Sequence, residues 1–343
     1  MHILVTGGAG YIGSHVVKQL LEETSHRVTI VDNLSTGHQA TVDTLKQMMP
    51  DRGRLFFEKL DLSDFMAVEK LFKSKKFDAV MHFAASIVVP ESVANPLKYY
   101  MNNTVNTTHL VSMCVKYGVE KFIFSSTAAV YGEPSEVPVS EDAPLEPINP
   151  YGMSKLMSER IIQDAAAAHE GFDFVILRYF NVAGADERNR IGQSFPNATH
   201  LVKIAAQTAS GLRDDMCMFG SDYDTPDGTC IRDYIHVDDL ASAHLDALRY
   251  LVTPIKHDVP TEHIFNVGYG HGYSVSEVVT MMKEVSGQDF KVLKKARRQG
   301  DPAVLIADNA NIMNVLRWQP RYDGLETICR TALAWEKKLA EGV

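Results

Sequence analysis

Short apolar runs alternate with longer amphipathic stretches in the first half of the chain. The runs are HILVT (2–6), RVTIVD (27–32), FDAVMHFAA (77–85), KFIFSS (121–126) and DFVILRYF (173–180). Between them, apolar residues recur at helical spacing, as in 11–23, 63–74 and 96–117. Strands that alternate with helices indicate βαβ units and a parallel sheet covered on both faces. The pattern predicts an α/β fold with a Rossmann-type, doubly wound parallel sheet.

The alternation loosens after about residue 182. AGADERNRIGQSFPN (183–197) is predicted as a long polar loop and SDYDTPDGT (221–229) as a turn. We therefore expect one domain over 1–182 and a smaller mixed α/β domain over 183–343. The second domain would contact a ligand at the carboxyl ends of the strands. Helix and strand patterns at 237–251 and 263–267 lead us to expect that segments near 234–270 rejoin the first domain.

Composition narrows the classes of function. With 34 basic and 43 acidic residues the net charge is −9, which argues against nucleic acid or an anionic membrane as the main partner. The four cysteines form no C-x-x-C pair, which suits a reducing cytosol and predicts no metal site. The first residues, MHILVTGG, already read as a strand and turn, and no apolar run approaches the ~20 residues that a membrane helix needs. We expect a soluble, cytoplasmic protein.

A glycine-rich turn joins the first predicted strand to the first helix. The sequence VTGGAGYIGSH has the spacing G-x-x-G-x-x-G, with glycines at Gly7, Gly10 and Gly13. Such a turn lets the backbone approach a pyrophosphate, which then faces the N–H groups of the helix. A glycine turn alone is a weak signal, but here a strand precedes it and a helix follows it.

Acidic residues end the next two strands. Asp32 lies 19 residues after Gly13, where a carboxylate accepts the ribose 2′-hydroxyl and repels a 2′-phosphate. The alternative is that Asp32 and Asn33 only begin a polar loop. Together the turn and the acid predict a dinucleotide site that favours NAD over NADP. Asp61 and Leu62 are predicted to end the third strand. They would either border the adenine of the dinucleotide or form an ordinary strand terminus.

The stretch YGMSK places Tyr151 and Lys155 on one helical face, after Asn149, which can cap, and Pro150. An ordinary helix start would give the same spacing. Beside a dinucleotide, however, such a pair with a hydroxyl at the end of a neighbouring strand fits hydride transfer. KFIFSS leads into that hydroxyl, Thr127.

Oxidation of an alcohol needs a base, and a tyrosine with a pKa of about 10 is a poor one at neutral pH. Lowering that pKa by ~3 units asks for about 4 kcal/mol. One cation at ~4 Å through an effective dielectric near 20 supplies that order of energy. Lys155 and the positive nicotinamide ring could each contribute, while desolvation of the phenolate would oppose them.

The chain resembles the extended short-chain dehydrogenase/reductases and, within them, the branch that epimerises UDP-sugars at C4. The matching segments span nearly the whole chain: VTGGAGYIGSH, VDNLSTG, HFAA, PLKYYMNN, FSSTAAVYGEP, NPYGMSK, LRYFNVAGA, DGTCIRDYIHVDDL, FNVGYGHGYSV and RRQGDPA. The resemblance implies that bound NAD takes a hydride from C4 and returns it to the opposite face of a rotated 4-keto sugar. The net reaction would interconvert UDP-galactose and UDP-glucose.

The resemblance also implies roles for individual residues. Tyr151 would be the acid/base, Lys155 its partner and Thr127 the active-site hydroxyl. The implied NAD contacts are Gly7, Gly10, Tyr11, Ile12, Gly13, Asp32, Asn33, Asp61, Leu62, Phe83, Ala84, Asn103, Tyr151, Lys155 and Tyr179. The implied UDP-sugar contacts are Thr127, Tyr151, Asn181, His200, Leu201, Phe219, Arg232, Arg298, Asp301 and Leu305. Without the resemblance, the two arginines would be read as solvated salt bridges and Phe219 as core.

Departures and alternatives remain. Ile87 stands where some relatives have a lysine, and His200 where others have asparagine. A 4,6-dehydratase would need an acidic pair after Thr127, where this chain has Ala128 and Ala129. A dinucleotide sensor without catalysis would usually lose the tyrosine or the lysine, and this chain keeps both.

Two finer expectations follow from the family resemblance. Leu305 aligns with a position where tyrosine restricts the family to glucose and galactose, while smaller residues admit N-acetylated sugars, so we expect UDP-N-acetylgalactosamine to be accepted less well than UDP-galactose. The family commonly forms homodimers through two helices, for which 96–117 and 150–169 are the candidates.

Overall fold

The computed structural model describes residues 1–48, 53–195, 199–253, 263–298 and 300–342. Its strands, β1 to β14 in chain order, are His2–Thr6, Arg27–Asp32, Leu55–Lys59, Ala79–His82, Lys121–Thr127, Asp173–Tyr179, Asn181–Ala183, Asp215–Phe219, Ile231–Arg232, Tyr234–His236, Ile264–Val267, Tyr273–Ser274, Lys291–Lys295 and Val304–Leu305. Its helices, α1 to α11, are Tyr11–Glu23, Gln39–Gln47, Phe65–Ser74, Val89–Ala94, Pro96–Tyr99, Asn106–Tyr117, Pro150–Ala168, Leu201–Ala209, Val237–Val252, Val275–Ser286 and Leu325–Ala340. Shorter helical segments are Tyr100–Val105 and Ile312–Leu316, both π-helical, and the 3₁₀ turn Ala128–Val130.

Within the described ranges, seven parallel strands form the central sheet in the order β11-β6-β5-β4-β1-β2-β3. Both faces of this sheet are buried: Ile3 and Val5 of β1 belong to one apolar core and Leu4 to the other. The chain moves outward from β1 in one direction and then restarts with β4 on the other side. A crevice therefore opens between β1 and β4 at the carboxyl ends of the strands. The predicted doubly wound α/β fold is confirmed.

The last strand of the sheet comes from the second half of the chain. Ile264–Val267 pairs in parallel with β6 and so adds an edge strand to the first sheet. Helix α9 packs on the same layer as α1, where the Gln19 side chain donates to the Asp238 carbonyl at 2.7 Å. Residues 254–262 of the predicted segment near 234–270 lie outside the described residues.

Three sequence-based boundaries were wrong. β4 ends at His82, so Phe83–Ala85 leave the sheet rather than extend it. β3 ends at Lys59, which places Asp61 in the following turn, where its carboxylate accepts from the backbone of Ser63 at 2.8 Å. The stretch 96–117 is not one α-helix: the π-helical Tyr100–Val105 interrupts it.

The remaining described strands form three small sheets, β7 with β10, β9 with β12 and β14, and β8 with β13. The polar loop predicted over 183–197 begins in β7 and is anchored by a buried carboxylate, with residues 196 and 197 outside the described ranges. Asp186 accepts from Lys18 at 2.8 Å and from Arg190 at 2.7 Å. The loop is thus fixed to α1 of the first half. No described helix combines the length and apolar character needed to span a bilayer.

Candidate active site

A cleft of about 1840 Å³ runs across the carboxyl ends of the central strands. Sites for one small ligand usually enclose roughly 300–1000 Å³, so this cleft has room for two. One end is walled by segments that follow β1 to β4. The other end is walled by the short strands and loops of the second half of the chain.

The glycine turn forms the floor of the first end. Gly7 has φ +71°, and a Cβ there would lie 2.7 Å from the backbone nitrogen of Ala84. A Cβ on Gly13 would lie 2.3 Å from the Gly7 carbonyl oxygen. Both glycines are therefore needed to pack the turn against α1 and the segment after β4. Gly10, the N-cap residue of α1, has no side chain to cap the helix, so the N-terminal N–H groups of α1 remain available to an anion.

Asp32 ends β2 beside the turn and is 8% exposed. Its carboxylate accepts backbone N–H groups of Ala9 at 3.0 Å and Leu34 at 2.8 Å. Burial raises the pKa of this carboxyl, and these hydrogen bonds act against that rise. Among the described residues no lysine or arginine forms an ion pair with Asp32. The oxygens are thus placed to accept hydroxyl groups and to repel a phosphate.

The outer edge of this end is polar. The Asn33 side chain donates to the Asp61 carboxylate at 2.7 Å, and hydrogen bonds from Ser63 and then Asn33 lower the pKa of Asp61. Leu62 is buried beside them and also lines the cleft. Tyr11 and Ile12, the first residues of α1, line the opposite wall.

Aromatic residues cover the middle of the first end. Phe83, which follows β4 together with Ala84, lies 4.8 Å from the ring of His244. The Tyr179 hydroxyl, at the end of β6, is hydrogen-bonded to the same histidine. Phe83, Ala84 and Tyr179 all line the cleft.

Tyr151 and Thr127 meet at the centre of the cleft. The Asn149 side chain caps α7 by accepting from the Gly152 nitrogen at 2.9 Å, and Tyr151 follows in the first turn. Thr127 is the last residue of β5 and lines the cleft together with Tyr151. Burial raises the pKa of Tyr151, and the hydrogen bond with Thr127 partly opposes it. Burial thus acts against the phenolate form of Tyr151.

Lys155 lies one turn along α7 from Tyr151 and is 3% exposed. Its ammonium donates to the Ser125 carbonyl at 2.7 Å and lies 4.8 Å from the centre of the Phe124 ring. Burial lowers the pKa of Lys155 to about 7, against an opposing effect of Glu159. The lysine is thus held by β5, on the same side of the helix as the tyrosine.

The far end of the cleft carries a buried arginine. Arg232 of β9 is 7% exposed and pairs with Asp301 at 2.5 Å. Leu305 of β14 stands opposite Arg232 in the parallel register, and all three residues line the cleft. Leu305 therefore lies in the wall of the cleft on the strand next to Arg232.

A second arginine lies over an aromatic ring. The Arg298 guanidinium is 4.0 Å from the centre of the Phe219 ring. His200, at the start of α8, is hydrogen-bonded to Gln193 at 2.7 Å, and burial lowers its pKa, with Lys203 acting in the same direction. Asn181, the first residue of β7, also lines the cleft, as does the exposed Ile87.

Two of the predicted contact residues do not line the cleft. Asn103 is 2% exposed, and its amide is engaged by the backbone of Ser86 and by the Ser154 hydroxyl at 3.0 Å. It therefore fixes the segment after β4 to α7. Leu201 faces a separate cavity of about 20 Å³, which it shares with Tyr11, Asn181 and His200.

Sequence reasoning missed a buried network behind the centre of the cleft. Glu159 accepts from the Ser126 hydroxyl and pairs with Arg178 at 2.8 Å. A signal was present, because Glu159 continues the four-residue spacing of Tyr151 and Lys155 along one helical face. Gln193, which positions His200, carried no such signal.

Comparison of the chain with known proteins identifies its family. The model of the NAD dependent epimerase/dehydratase family matches residues 3–268. The chain is 49% identical to UDP-glucose 4-epimerase of Azospirillum brasilense, over 99% of this chain and 93% of that protein. The chain belongs to the NAD dependent epimerase/dehydratase family.

Solved structures of this epimerase/dehydratase family have the same fold. The UDP-Glc/GlcNAc 4-epimerase of Campylobacter jejuni is 56% identical, with a TM-score of 0.84 over 98% of this chain and 99% of that one. The UDP-glucose 4-epimerase of Bifidobacterium longum, solved with NAD⁺ and UDP, is 36% identical with a TM-score of 0.92 over 100% of both chains. The predicted cofactor, NAD, is thereby confirmed. The buried, unpaired carboxylate of Asp32 fits it, because NAD presents a ribose hydroxyl where NADP has a phosphate.

Proposed function

We propose that the protein is a UDP-glucose 4-epimerase, which interconverts UDP-galactose and UDP-glucose. One observation carries the proposal: Tyr151, Thr127 and Lys155 lie in a single cleft between a dinucleotide end and an end with two arginines. A sugar held there would present its ring to the tyrosine. The names of the relatives from Azospirillum brasilense and Bifidobacterium longum support the same substrate class.

The two ends of the cleft would hold the two ligands. We assign residues 1–182 mainly to NAD, through the glycine turn, Asp32 and the segments after β3 and β4. Residues 183–343 supply most of the UDP-sugar contacts, apart from the part that rejoins the first sheet. Arg232 and Arg298 suit a diphosphate because a planar guanidinium offers several N–H donors to oxygen. Phe219 provides a flat apolar surface for uracil.

The chemistry at the centre follows from proton positions. When bound, NAD supplies a hydride acceptor that can take hydride from C4 of the sugar and return it. Tyr151, as phenolate, removes the proton of the 4-hydroxyl, and Thr127 holds the same oxygen through its hydroxyl. After the 4-keto sugar has rotated in the site, Tyr151 returns the proton to the oxygen on C4. Lys155 stabilises the phenolate by its charge.

A dehydratase is disfavoured by the residues that follow Thr127. Ala128 and Ala129 form a 3₁₀ turn there, and their methyl groups cannot exchange protons. A sensor without catalysis is disfavoured because the tyrosine, the lysine and the hydroxyl are all present in the cleft.

Assembly and location stay predictions. We propose a homodimer that packs through the region 96–117 and α7, because Leu97, Met101 and Met157 there are 72%, 60% and 42% exposed. Light scattering of the purified protein would give the mass of a dimer; a monomer at micromolar concentration would contradict the proposal. A cytoplasmic location likewise stays a prediction.

The deciding experiment incubates the purified protein with UDP-galactose without added NAD. We expect UDP-glucose as the product and NAD bound to the protein, because the same hydride must be returned. Recovery of an empty protein that consumes free NAD in proportion to substrate would point to a dehydrogenase. A parallel incubation with UDP-N-acetylgalactosamine measures the breadth of the sugar site, for which the name of the Campylobacter jejuni relative sets a precedent.

A further inference from the structure

Glu159 lies on α7 four residues after Lys155 and is 0% exposed. Its carboxylate accepts a hydrogen bond from the Ser126 hydroxyl, and Ser126 directly precedes Thr127 on β5. One side chain therefore joins the helix that carries Tyr151 and Lys155 to the strand end that carries Thr127. None of the reactions described above uses this carboxylate.

The second partner of Glu159 fixes its position further. Arg178 of β6 is 1% exposed and donates to the carboxylate at 2.8 and 3.2 Å. The same guanidinium donates to the Tyr131 hydroxyl at 2.9 Å, and that hydroxyl donates to Asn266 of β11 at 2.6 Å. The carboxylate is thus the centre of a network that spans three strands of the sheet.

Two neighbours hold the Lys155 ammonium from β5, the Ser125 carbonyl and the Phe124 ring, and neither carries a compensating charge. From β4, His82 faces the lysine; burial and then the lysine itself lower the pKa of His82 to about 3, so this histidine is neutral at pH 7. Glu159 is the anion that raises the pKa of Lys155.

Among the described residues, the other charged groups on elements packed against α7 have partners elsewhere: Lys116 of α6 pairs with Glu69 at 2.8 Å, and Lys121 of β5 lies 3.8 Å from Asp173 of β6. Glu91 of α4 and Lys98 of α5 pair with each other at 2.5 Å near the surface. Arg178 lies behind Glu159 and is paired with it. The carboxylate of Glu159 is therefore the described charge that most directly favours an ammonium at Lys155.

We infer that Glu159 is a positioning residue for the reaction: it holds Thr127 against Tyr151 through Ser126 and keeps Lys155 cationic. The inference rests on the catalytic roles proposed above for the tyrosine and the lysine. It adds a residue that touches neither sugar nor cofactor and acts through groups that do.

Charge geometry explains why Glu159 favours the reactive form. That form has a phenolate at Tyr151 and an ammonium at Lys155. Glu159 lies one helical turn from the lysine but two turns from the tyrosine, so it attracts the cation more strongly than it repels the phenolate. Removal of the carboxylate should shift the balance toward a neutral tyrosine and a neutral lysine.

Glu159→Gln removes the charge but keeps an oxygen that can accept from Ser126. We expect about a tenfold lower fraction of tyrosinate at Tyr151 at a given pH, the equivalent of one pKa unit, and a similar fall in kcat. Tyrosinate would be measured on the NAD-bound protein by ultraviolet difference titration, against the same protein carrying Tyr151→Phe. NAD content and the Kd for UDP should stay unchanged.

Ser126→Ala separates the second role. It removes the hydrogen bond to the strand end but leaves the carboxylate charged and paired with Arg178. We expect a lower kcat and a tyrosinate titration that shifts less than in Glu159→Gln, because only the hold on Thr127 is weakened while the charge of Glu159 remains. A titration that shifts as far as in Glu159→Gln would show that loosened packing, not charge, sets the proton position, and would overturn the electrostatic role.

Folding needs its own control, since Glu159→Gln leaves Arg178 buried without its counter-ion. The double variant Glu159→Gln with Arg178→Gln removes both charges and should fold more readily, with the same loss of tyrosinate. Glu336→Gln is a matched control: Glu336 is also buried and pairs with a lysine, Lys203, but on α11 and α8. It should leave the tyrosinate titration unchanged.

Two results would overturn the inference: an unchanged tyrosinate fraction and kcat in both Glu159 variants, or an equal tyrosinate loss in Glu336→Gln. Neither depends on the identity of the sugar. A wild-type protein that fails to convert UDP-galactose would instead contradict the proposed function, so the two failures are distinguishable.

Discussion

The cofactor end and the sugar end of the cleft are assembled from the chain in different ways. At the cofactor end, short consecutive segments follow β1, β2, β3 and β4 and meet because parallel strands end at one edge. At the sugar end, Arg232, Arg298 and Leu305 lie on or near two-residue strands and a two-stranded sheet. Side-chain contacts rather than long runs of strand pairing hold these residues in place. Arg232 forms an ion pair with Asp301, and the Arg298 guanidinium lies over the Phe219 ring.

This difference predicts how each end responds to change. The cofactor end depends on backbone geometry, so even a methyl group can disrupt it. The sugar end depends on individual side chains, each of which can be exchanged with a graded effect on substrate binding. Tyr151 stands where the two ends meet, and its loss should affect turnover without emptying either end.

The largest expected effect is at that junction. Tyr151→Phe keeps the ring but removes the acid/base, so kcat should fall by ~10²-fold or more while NAD content and UDP binding survive. Tyr117→Phe is the control. Tyr117 is the last residue of α6, does not line the cleft, and its hydroxyl donates to Glu69 at 2.9 Å, so this variant should leave turnover unchanged. Near-normal turnover in Tyr151→Phe would refute the assignment.

At the cofactor end, Gly13→Ala should weaken the binding of NAD. The added Cβ would lie 2.3 Å from the Gly7 carbonyl oxygen, so the turn must move. We expect at least about a tenfold loss of NAD affinity, measured as NAD content after gel filtration. Gly324→Ala, which has open space around its Cβ, should retain the cofactor. Equal NAD content in the two variants would show that the turn tolerates displacement.

At the sugar end, Arg298→Met should raise the KM for UDP-galactose about tenfold, because a charge-assisted hydrogen bond contributes about 1.5–3 kcal/mol. NAD content and kcat should change little. Arg297 provides the matched control, since it also lies over a ring, that of Tyr223 at 4.2 Å, but pairs with Asp222 and does not line the cleft. If Arg297→Met raised the KM as much, general positive charge rather than a specific contact would explain the effect.

Three buried histidines, on β4, β10 and α9, make the stability of the fold sensitive to acid. Burial lowers the pKa of His82 to about 3, and of His236 and His244 to about 4. Because the unfolded chain takes up these protons near pH 6.5 and the folded chain does not, stability is lost as the pH falls below 6.5. Each histidine should lower the free energy of unfolding by about 1.4 kcal/mol per pH unit there.

His82→Gln tests this at one site. The difference in unfolding free energy between pH 7.5 and 5.5, from urea titrations, should shrink by about 1.4 kcal/mol. A pH difference that stays the same without His82 would mean that the histidine is already protonated in the folded protein.

The contrast between the two ends also explains what the sequence could predict. The positions of Gly7, Gly13 and Asp32 could be predicted because a tight turn requires glycine and because the strand pattern shows where β1 and β2 end. Asn103 was predicted as a cofactor contact, but in the structure a π-helical segment, which has no marked sequence signal, turns its amide toward Ser86 and Ser154. The arginines of the sugar end came only from the family resemblance, since no local pattern distinguishes them from surface salt bridges.

The smallest expected effect, and the finest test of the sugar end, is at Leu305. It stands opposite Arg232 on the neighbouring strand, half-buried in the cleft wall. Leucine offers no hydrogen bond to an acetamido group, and an unpaired amide there costs about 1–3 kcal/mol. We therefore expect UDP-N-acetylgalactosamine to be epimerised at least several-fold less efficiently than UDP-galactose.

Leu305→Tyr should abolish the activity toward the acetylated sugar and spare the activity toward UDP-galactose, because the larger ring fills the space an acetyl group needs. The ratio of the two kcat/KM values is the measurement, since it cancels any general loss of folded protein. If Leu305 only packs β14 against β9, both activities should fall together. An unchanged ratio would therefore remove Leu305 from the sugar pocket and leave specificity to other residues that line the cleft, such as Asn181 and His200.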